Sequence, residues 1–544
     1  MASTQPRASV LAAAILSLAA SAQASDFFVA NDGNDGNSGR TISQPFSSVQ
    51  RAVNAAVAGD TIYLRAGTWR EPVTIAKAGT AAAPIVIAAY AGEKPVLKGS
   101  AVAAGWSATA TAGVWKKTGW SVASQQVFVD GLPQQQIGVP STFYSGPASD
   151  GTTMITPIGT GVADLAPGSF CYVAVEQALY LRLRDGGDPN GHLIEASVLR
   201  RILFMDATAS HVVVRGIGFR HSSTGSFQVG GAAIELADDC TLDGCDAQWC
   251  DFAAVSMGYQ RSRSRLIGCT VSNNGDSGVT APDSRSFEIR GCTVADNNYR
   301  SFNTQWHAGG IKATSNAWGT IDSCAITGNR GVGVWFDYAA SGNQIVVSAN
   351  RIENNFGNGA GIMFEASANG VLVDNLIIGN DRRGIYVSAS DNVSVWHNVV
   401  RGTKTQTAID ISGMPRAGKT LRHIEVMNNI VADSVCQDDL MIVKENGGDI
   451  LDIRCDYNLF YRTSGTVSLW WGLDGRGGWA GTRYSTVAAW QTAFGTTHSR
   501  QADPRLGTGL VPSTDSPAVD AGIPRSAVAT DYAGNARIAG ATCD

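Results

Sequence analysis

The sequence predicts an all-β chain folded as a right-handed parallel β-helix, with an N-terminal capping helix and a small inserted β-domain. Three observations carry this. A column of residues, Cys245, Cys269, Cys292, Cys324, Asn350, Asn375, Asn398, Asn429 and Asn458, recurs at intervals of 24, 23, 32, 26, 25, 23, 31 and 29. Each member follows an alternating strand and precedes a second short apolar run, as in SRLIGCTV, FEIRGCTV, VVSANRI and VSVWHNVV, with no helical period. Glycine is abundant at 62 residues and charged residues make up only 16%, the bias expected when every coil needs tight turns and an inward apolar face.

In chain order, residues 1–24 read as a secretory signal peptide: Arg7, a short apolar run over 10–20, and Ala-Gln-Ala ending at Ala24. The run is too short to span a bilayer, so the expected location is secreted or periplasmic. Residues 25–100 read as the N-terminal cap and first coils. An amphipathic helix over 46–57 would cover the open end of the core, and a strand over 61–64 follows. Residues 101–200 lose the repeat but carry Trp106, Trp115, Trp120 and turn signals such as Asp130-Gly131, which predict the inserted β-domain. The main β-helix is expected over 201–460, with Ile217 near the column. Residues 461–544 form a C-terminal coil and cap segment that includes a helix-like STVAAWQTAF. The long intervals hold NNYRSFNTQWHAG, GMPRAGKTLRH and CQDDL, and extra length in a solenoid emerges as loops on one face.

With 41 basic and 46 acidic residues the formal net charge is −5. No basic stripe argues for nucleic acid, and no membrane partner is expected. Export permits disulfides, but Cys245, Cys269, Cys292 and Cys324 share a column and are expected as a buried ladder of thiols, continued by asparagine amides bonding along the stack. Cys436 and Cys455 are a candidate bridge. No CxxC or His pair stands at ligand spacing, so no metal site is expected. DGNDGNSG near the N-terminus reads as turn chemistry.

One strand per coil aligns on a leading glycine or alanine: GIKAT, GVWFD, GIMFE, GIYVS and AIDIS. Alternation places Ile311, Val334, Ile362, Ile385 and Ile409 inside, with Ala313, Phe336, Phe364, Val387 and Ile411. The outward columns are then Lys312, Trp335, Met363, Tyr386, Asp410 and Thr314, Asp337, Glu365, Ser388, Ser412. Asp337 and Glu365 fall at equivalent positions of adjacent coils, about 4.8 Å apart by strand spacing. Two such carboxylates suit glycosidic bond cleavage, and a separation of about 5 to 5.5 Å suits a retaining mechanism. Trp335, Tyr386 and Trp306 would offer stacking surface to an oligo- or polysaccharide. Lys312, His307, Arg383 and Asp410 would bind its polar groups. A polysaccharide lyase is the alternative, with Lys312, His307, Arg382 and Arg383 available for β-elimination on a uronate. In that reading Asp337 and Glu365 would hold Ca²⁺ as the neutraliser. A non-catalytic glycan-binding β-helix is a third reading.

The stretch FFVANDGNDGNSG through QPFSSVQRAVNAAVAGDTIYLRAGTW to GEKPVLKG resembles the opening of secreted right-handed parallel β-helix proteins that act on carbohydrates. GGIK, GVWFDYAASGNQIVVSANRIENN and GAGIMFEASANGVLVDNLI resemble the parallel β-helix glycoside hydrolases, of the β-xylosidase-like, glycoside hydrolase family 120-like branch. The resemblance implies Asp337 as nucleophile and Glu365 as acid/base. Here Glu365 is followed by Ala366-Ser367 where that family has a His-containing turn.

Overall fold

The computed structural model describes residues 24–138, 158–224, 231–340, 342–444, 450–472, 481–525 and 530–537. The expected leader lies outside them except for Ala24. Three sheets of 13 strands run the length of the solenoid, and each coil gives one strand to each sheet. In one coil these are Ile345–Ser348 in the first sheet, Arg351–Glu353 in the second and Ala360–Glu365 in the third, called here the site sheet. Successive coils pair in parallel and nearly in register. Inward side chains from all three sheets merge into one apolar core.

Two polar ladders hold that register. In the turn between the first and second sheets, the backbone N of Cys245, Cys269 and Cys292 donates to the next coil's Cys Sγ at 3.3, 3.4 and 3.4 Å. Asparagines continue the column. Asn375 Nδ2 donates to Val347 O at 2.8 Å and to Asn398 Oδ1 at 3.0 Å, while Asn375 Oδ1 accepts from Asn350 N at 3.1 Å and Asn350 Nδ2 at 3.0 Å. A second ladder, absent from the sequence reading, fills the turn before the site sheet. Asn274, Asn297, Asn329, Asn355 and Asn380 are linked Nδ2 to Oδ1 at 2.9, 2.8, 2.9 and 2.9 Å. It explains the leading glycines. A Cβ on Gly333 would lie 2.7 Å from Gly361 O and 2.9 Å from Asn355 Nδ2, and one on Gly361 would meet Gly384 O at 2.7 Å.

The candidate bridge between Cys436 and Cys455 is overturned: both are free and buried. Cys455 lies in first-sheet strand Ile450–Asp456 opposite Val426, whereas Cys436 sits in the turn after second-sheet strand Ile430–Ala432. They belong to different columns, so neither stacks on the other.

The N-terminal helix spans Val49–Ala55, shorter than expected, and buries Val49, Ala52 and Val53 over the first coil. Its start is set by Asp35 of DGNDGNSG, whose carboxylate accepts from Ser47 N and Ser48 N at 2.9 Å each and from Ser48 Oγ at 2.7 Å. At the far end, helix Val487–Phe494 buries Trp490 against the last coil. The tail beyond runs back along the solenoid, through Asn428 and Ile523 and a buried pair between Asp374 and Arg537. Among the described residues no helix is long and apolar enough to cross a membrane.

Between Ser100 and Ser197 the chain leaves the solenoid and builds a four-stranded and a five-stranded sheet over a core of Trp106, Trp120, Val127, Phe170, Leu179 and Ile194. Its attachment to the β-helix is largely polar. Glu195 takes Arg70 at 2.5 Å and Lys98 at 2.8 Å. Gln126 Nε2 donates to Ser222 O and Trp249 O at 2.9 and 3.0 Å. His221 stacks on Phe128 with centroids 3.7 Å apart and its Nδ1 lies 3.1 Å from Ser100 Oγ.

Two predictions follow from this packing. Asn375→Ala strands several buried backbone partners and should cost about 3 kcal/mol or more. Cys269→Ala removes one small, weakly bonding side chain and should cost about 1 kcal/mol. Equal losses in denaturant unfolding would show that the amides carry no special burden. Burial also pushes the His221 imidazole down from 6.5 to about 3. The unfolded chain therefore takes up this proton first, so the contribution of His221 is complete above pH 6.5 and is lost as pH falls toward about 3. The loss should be on the order of 5 kcal/mol at its greatest. Thermal unfolding against pH should be steeper over that window in the parent than in His221→Asn.

Candidate active site

The site sheet presents its outward side chains in two straight columns. Register pairs Lys312 with Trp335, Trp335 with Met363, Met363 with Tyr386 and Tyr386 with Asp410. The next column runs Thr314, Asp337, Glu365, Ser388 and Ser412 through the same pairings. Beneath them Ile311, Val334, Phe336, Ile362, Phe364, Ile385 and Val387 are buried at 0–2% exposure. The apolar interior forbids these strands a one-residue slip, which would turn every polar side chain inward.

Asp337 and Glu365 stand opposite one another on adjacent strands, and each has a cation. Lys312 Nζ lies 3.1 Å from Asp337 Oδ2. Arg416 NH2 is ion-paired with Glu365 Oε1. The Asp337 side chain is 23% exposed and that of Glu365 only 7%. Lys312 is itself buried: its Nζ sits 3.4 Å from the centroid of Trp335 and donates to Trp306 O. Burial holds its amine below the usual lysine value, against the opposing charges of Asp337, Glu365 and Asp276.

A cavity of about 390 Å³ opens on this face, lined by Trp335, Met363, Glu365, Arg382, Arg383, Tyr386 and Arg416 among others. Asp337 stands beside it, one coil before Glu365. Of the residues proposed for ligand contact, Tyr386 and Trp335 reach the cavity wall but are 4% and 5% exposed. The Tyr386 hydroxyl lies 2.7 Å from Met414 Sδ. Arg383 lies over Tyr386 and donates to Asp410 Oδ2 at 2.5 Å. Asp410 is fully buried and hydrogen-bonded to Ser412, so it orients Arg383 and has no surface to offer a ligand. Trp306 packs on Phe252, Phe302 and Ala308. His307 stacks on Phe252 at 5.0 Å and bonds through Nδ1 to the buried Asp276. Trp306 and His307 therefore anchor the 297–307 loop over the site sheet.

The sequence reading missed Asp276, Met414 and Arg416. The latter two lie in the 31-residue interval, so its extra length was the available signal. Asp276 immediately precedes site-sheet strand Ser277–Pro282, and nothing in its local sequence sets it apart from a turn residue. Among the described residues no group of three or more His, Cys, Asp or Glu side chains is placed to hold a metal ion.

Residues 203–305, 230–404 and 301–446 match the right-handed β-helix region family, and residues 27–140 match the Pel9A-like right-handed β-helix region. Over 78 residues the chain is 47% identical to pectate lyase PEL9 of Emericella nidulans, and over 76 residues 36% identical to the uncharacterized protein YwoF of Bacillus subtilis (strain 168). Each match covers 14% of this chain and only 19% and 16% of the relative's own length. The solved structure of XylC with xylose superposes with a TM-score of 0.60 at 16% identity, over 80% of this chain and 83% of that one. A structure described as a glycoside hydrolase superposes at 0.51 with 14% identity, over 80% of this chain and 96% of that one. At such identities the likeness is one of fold. By its three stacked sheets and by both sequence matches, the chain is a right-handed parallel β-helix protein.

Proposed function

We propose that the protein is an exported enzyme acting on a glycan, and that it hydrolyses a glycosidic bond between Asp337 and Glu365 with retention of configuration. The observation that carries this is the in-register pairing of Asp337 with Glu365, the latter lining a cavity with aromatic and arginine walls. Neighbouring strands put the two side chains about 4.8 Å apart at their origins, nearer the spacing of about 5 to 5.5 Å for a retaining pair than the wider spacing for inversion. Asp337, held in place by Lys312, attacks the anomeric carbon. Glu365 gives its proton to the departing oxygen, then takes one from the water that releases the sugar. Arg416 must yield Glu365 to the substrate for this to occur.

A second reading, a lyase, rests on Lys312: burial holds its amine below the usual value, its Nζ lies 3.1 Å from Asp337 Oδ2, and Arg382, Arg383 and Arg416 line the cavity over neighbouring Glu365. Lys312 would then remove the proton α to a uronate carboxylate while the arginines neutralise the developing charge. The glycosidic oxygen departs as the double bond forms. With Asp337 and Glu365 each engaged by a cation, the arginines rather than Ca²⁺ take the neutralising role.

Asp337→Asn and Glu365→Gln should each lower kcat/KM by at least about 10²-fold on a glycan the parent cleaves. Full activity in either variant ends the hydrolase reading. The products separate the two chemistries: hydrolysis yields saturated ends with no new ultraviolet absorbance, and elimination yields an absorbing unsaturated uronate. An absorbing product, abolished by Lys312→Met, transfers the assignment to the lyase.

A further inference from the structure

The inserted domain and the 297–307 loop enclose a second cavity, of about 560 Å³, separate from the one over Glu365. Gln125, Gln134, Gln135 and Gln136 line it from the insertion, with Arg184, and the β-helix adds Tyr299, Arg300 and Arg330. No carboxylate is found among its described lining residues. Arg300 is neutralised by Asp251, which is fully buried, and also bonds Gln136. Arg184 and Arg330 are exposed and donate only to Pro133 O at 3.2 Å and Ser301 Oγ at 2.9 Å. Among the described residues neither pairs with an acid.

Two glutamines add an unmet demand. Gln125 and Gln134 are 1% and 8% exposed. Their Nε2 groups donate to Ala123 O and Leu132 O at 2.9 and 2.8 Å, while both Oε1 atoms are buried with no hydrogen-bond donor among the described residues. A buried acceptor left in that state is destabilising. Both glutamines line the cavity, and Arg184 and Arg330, which meet no acid among the described residues, add recognition of an anion.

The cavity also adjoins the proposed reaction site. Ser301 lines the one and Thr304 the other, and likewise Arg330 and Val332. Such short chain separations keep the two walls within about 11 Å of each other. We propose that this cavity is a binding subsite for a carboxylate-bearing sugar unit of the same glycan chain whose bond is processed at Asp337 and Glu365. The proposal rests on the glycan reading of that face. It makes the substrate an acidic polymer, held by the insertion at a distance from the bond that breaks.

The test is calorimetric titration of the full chain with a galacturonate oligosaccharide and with a neutral xylo-oligosaccharide of equal length. The parent should prefer the acidic oligomer. Arg184→Ala combined with Arg330→Ala should weaken its binding about tenfold or more and abolish the preference, whereas Arg→Lys at both positions should retain part of it. Gln134→Leu should weaken binding without lowering Tm, a result that misfolding would not produce. Undiminished acidic binding by the alanine pair, or a parent indifferent to charge, overturns the proposal. A parent that binds through these arginines but cleaves no glycan refutes the catalytic reading and leaves the subsite standing. A parent that cleaves short substrates while the alanine pair binds normally refutes the subsite alone.

Discussion

Coil-to-coil register is the constraint on which everything else in this molecule depends. Backbone hydrogen bonds between parallel strands would tolerate a slip of two residues, since inward side chains would remain inward. The asparagine ladders do not tolerate it, because each amide both donates to and accepts from its neighbours in the stack. A slipped coil would leave buried amides without partners at both of its neighbours. The ladders therefore convert a repetitive apolar core, which alone fixes only alternation, into a unique alignment. The juxtaposition of Asp337 with Glu365 is a consequence of that alignment.

Electrostatics then operate on a rigid lattice. Lys312–Asp337, Arg416–Glu365 and Arg383–Asp410 form three pairs of opposite sign across a few coils, and the buried Arg383–Asp410 pair shows how far the sheet goes to position a cation. Lys312 is confined by Trp335 below, the Trp306 carbonyl above and Asp337 alongside. Such confinement sets both the direction of its proton affinity and the space left for a ligand. The same residues support two chemistries on paper because a cation that steadies a nucleophile differs from a base only in its protonation.

Much of this was legible in the chain. The Cys–Asn column gave the coil length, and alternation from a leading glycine or alanine gave the facing of the five aligned site-sheet strands, including both outward columns. Strand 61–64 was legible to its ends because β-branched and aromatic residues fill it. Legibility ended where partners come from elsewhere in the sequence. The second asparagine ladder hid because its members sit in turns, where asparagine is already the expected residue. Arg416 reaches Glu365 across 51 positions, and no local pattern encodes that. Asp410 shared the outward register yet is fully buried, because Arg383 and Ser412 close over it. Cys436 and Cys455 had plausible spacing, but column membership decides which side chains meet.

The insertion enters and leaves through a single antiparallel pair, Ser100 opposite Ser197. Its ends are therefore already adjacent, and the solenoid's continuity does not pass through its interior: strand Val96–Lys98 is followed in its sheet by Gly218–Arg220 as though nothing intervened. A module held in this way behaves as a cassette. Its length and its own core can change without altering the stacking of the coils on either side, because the frame closes across its base.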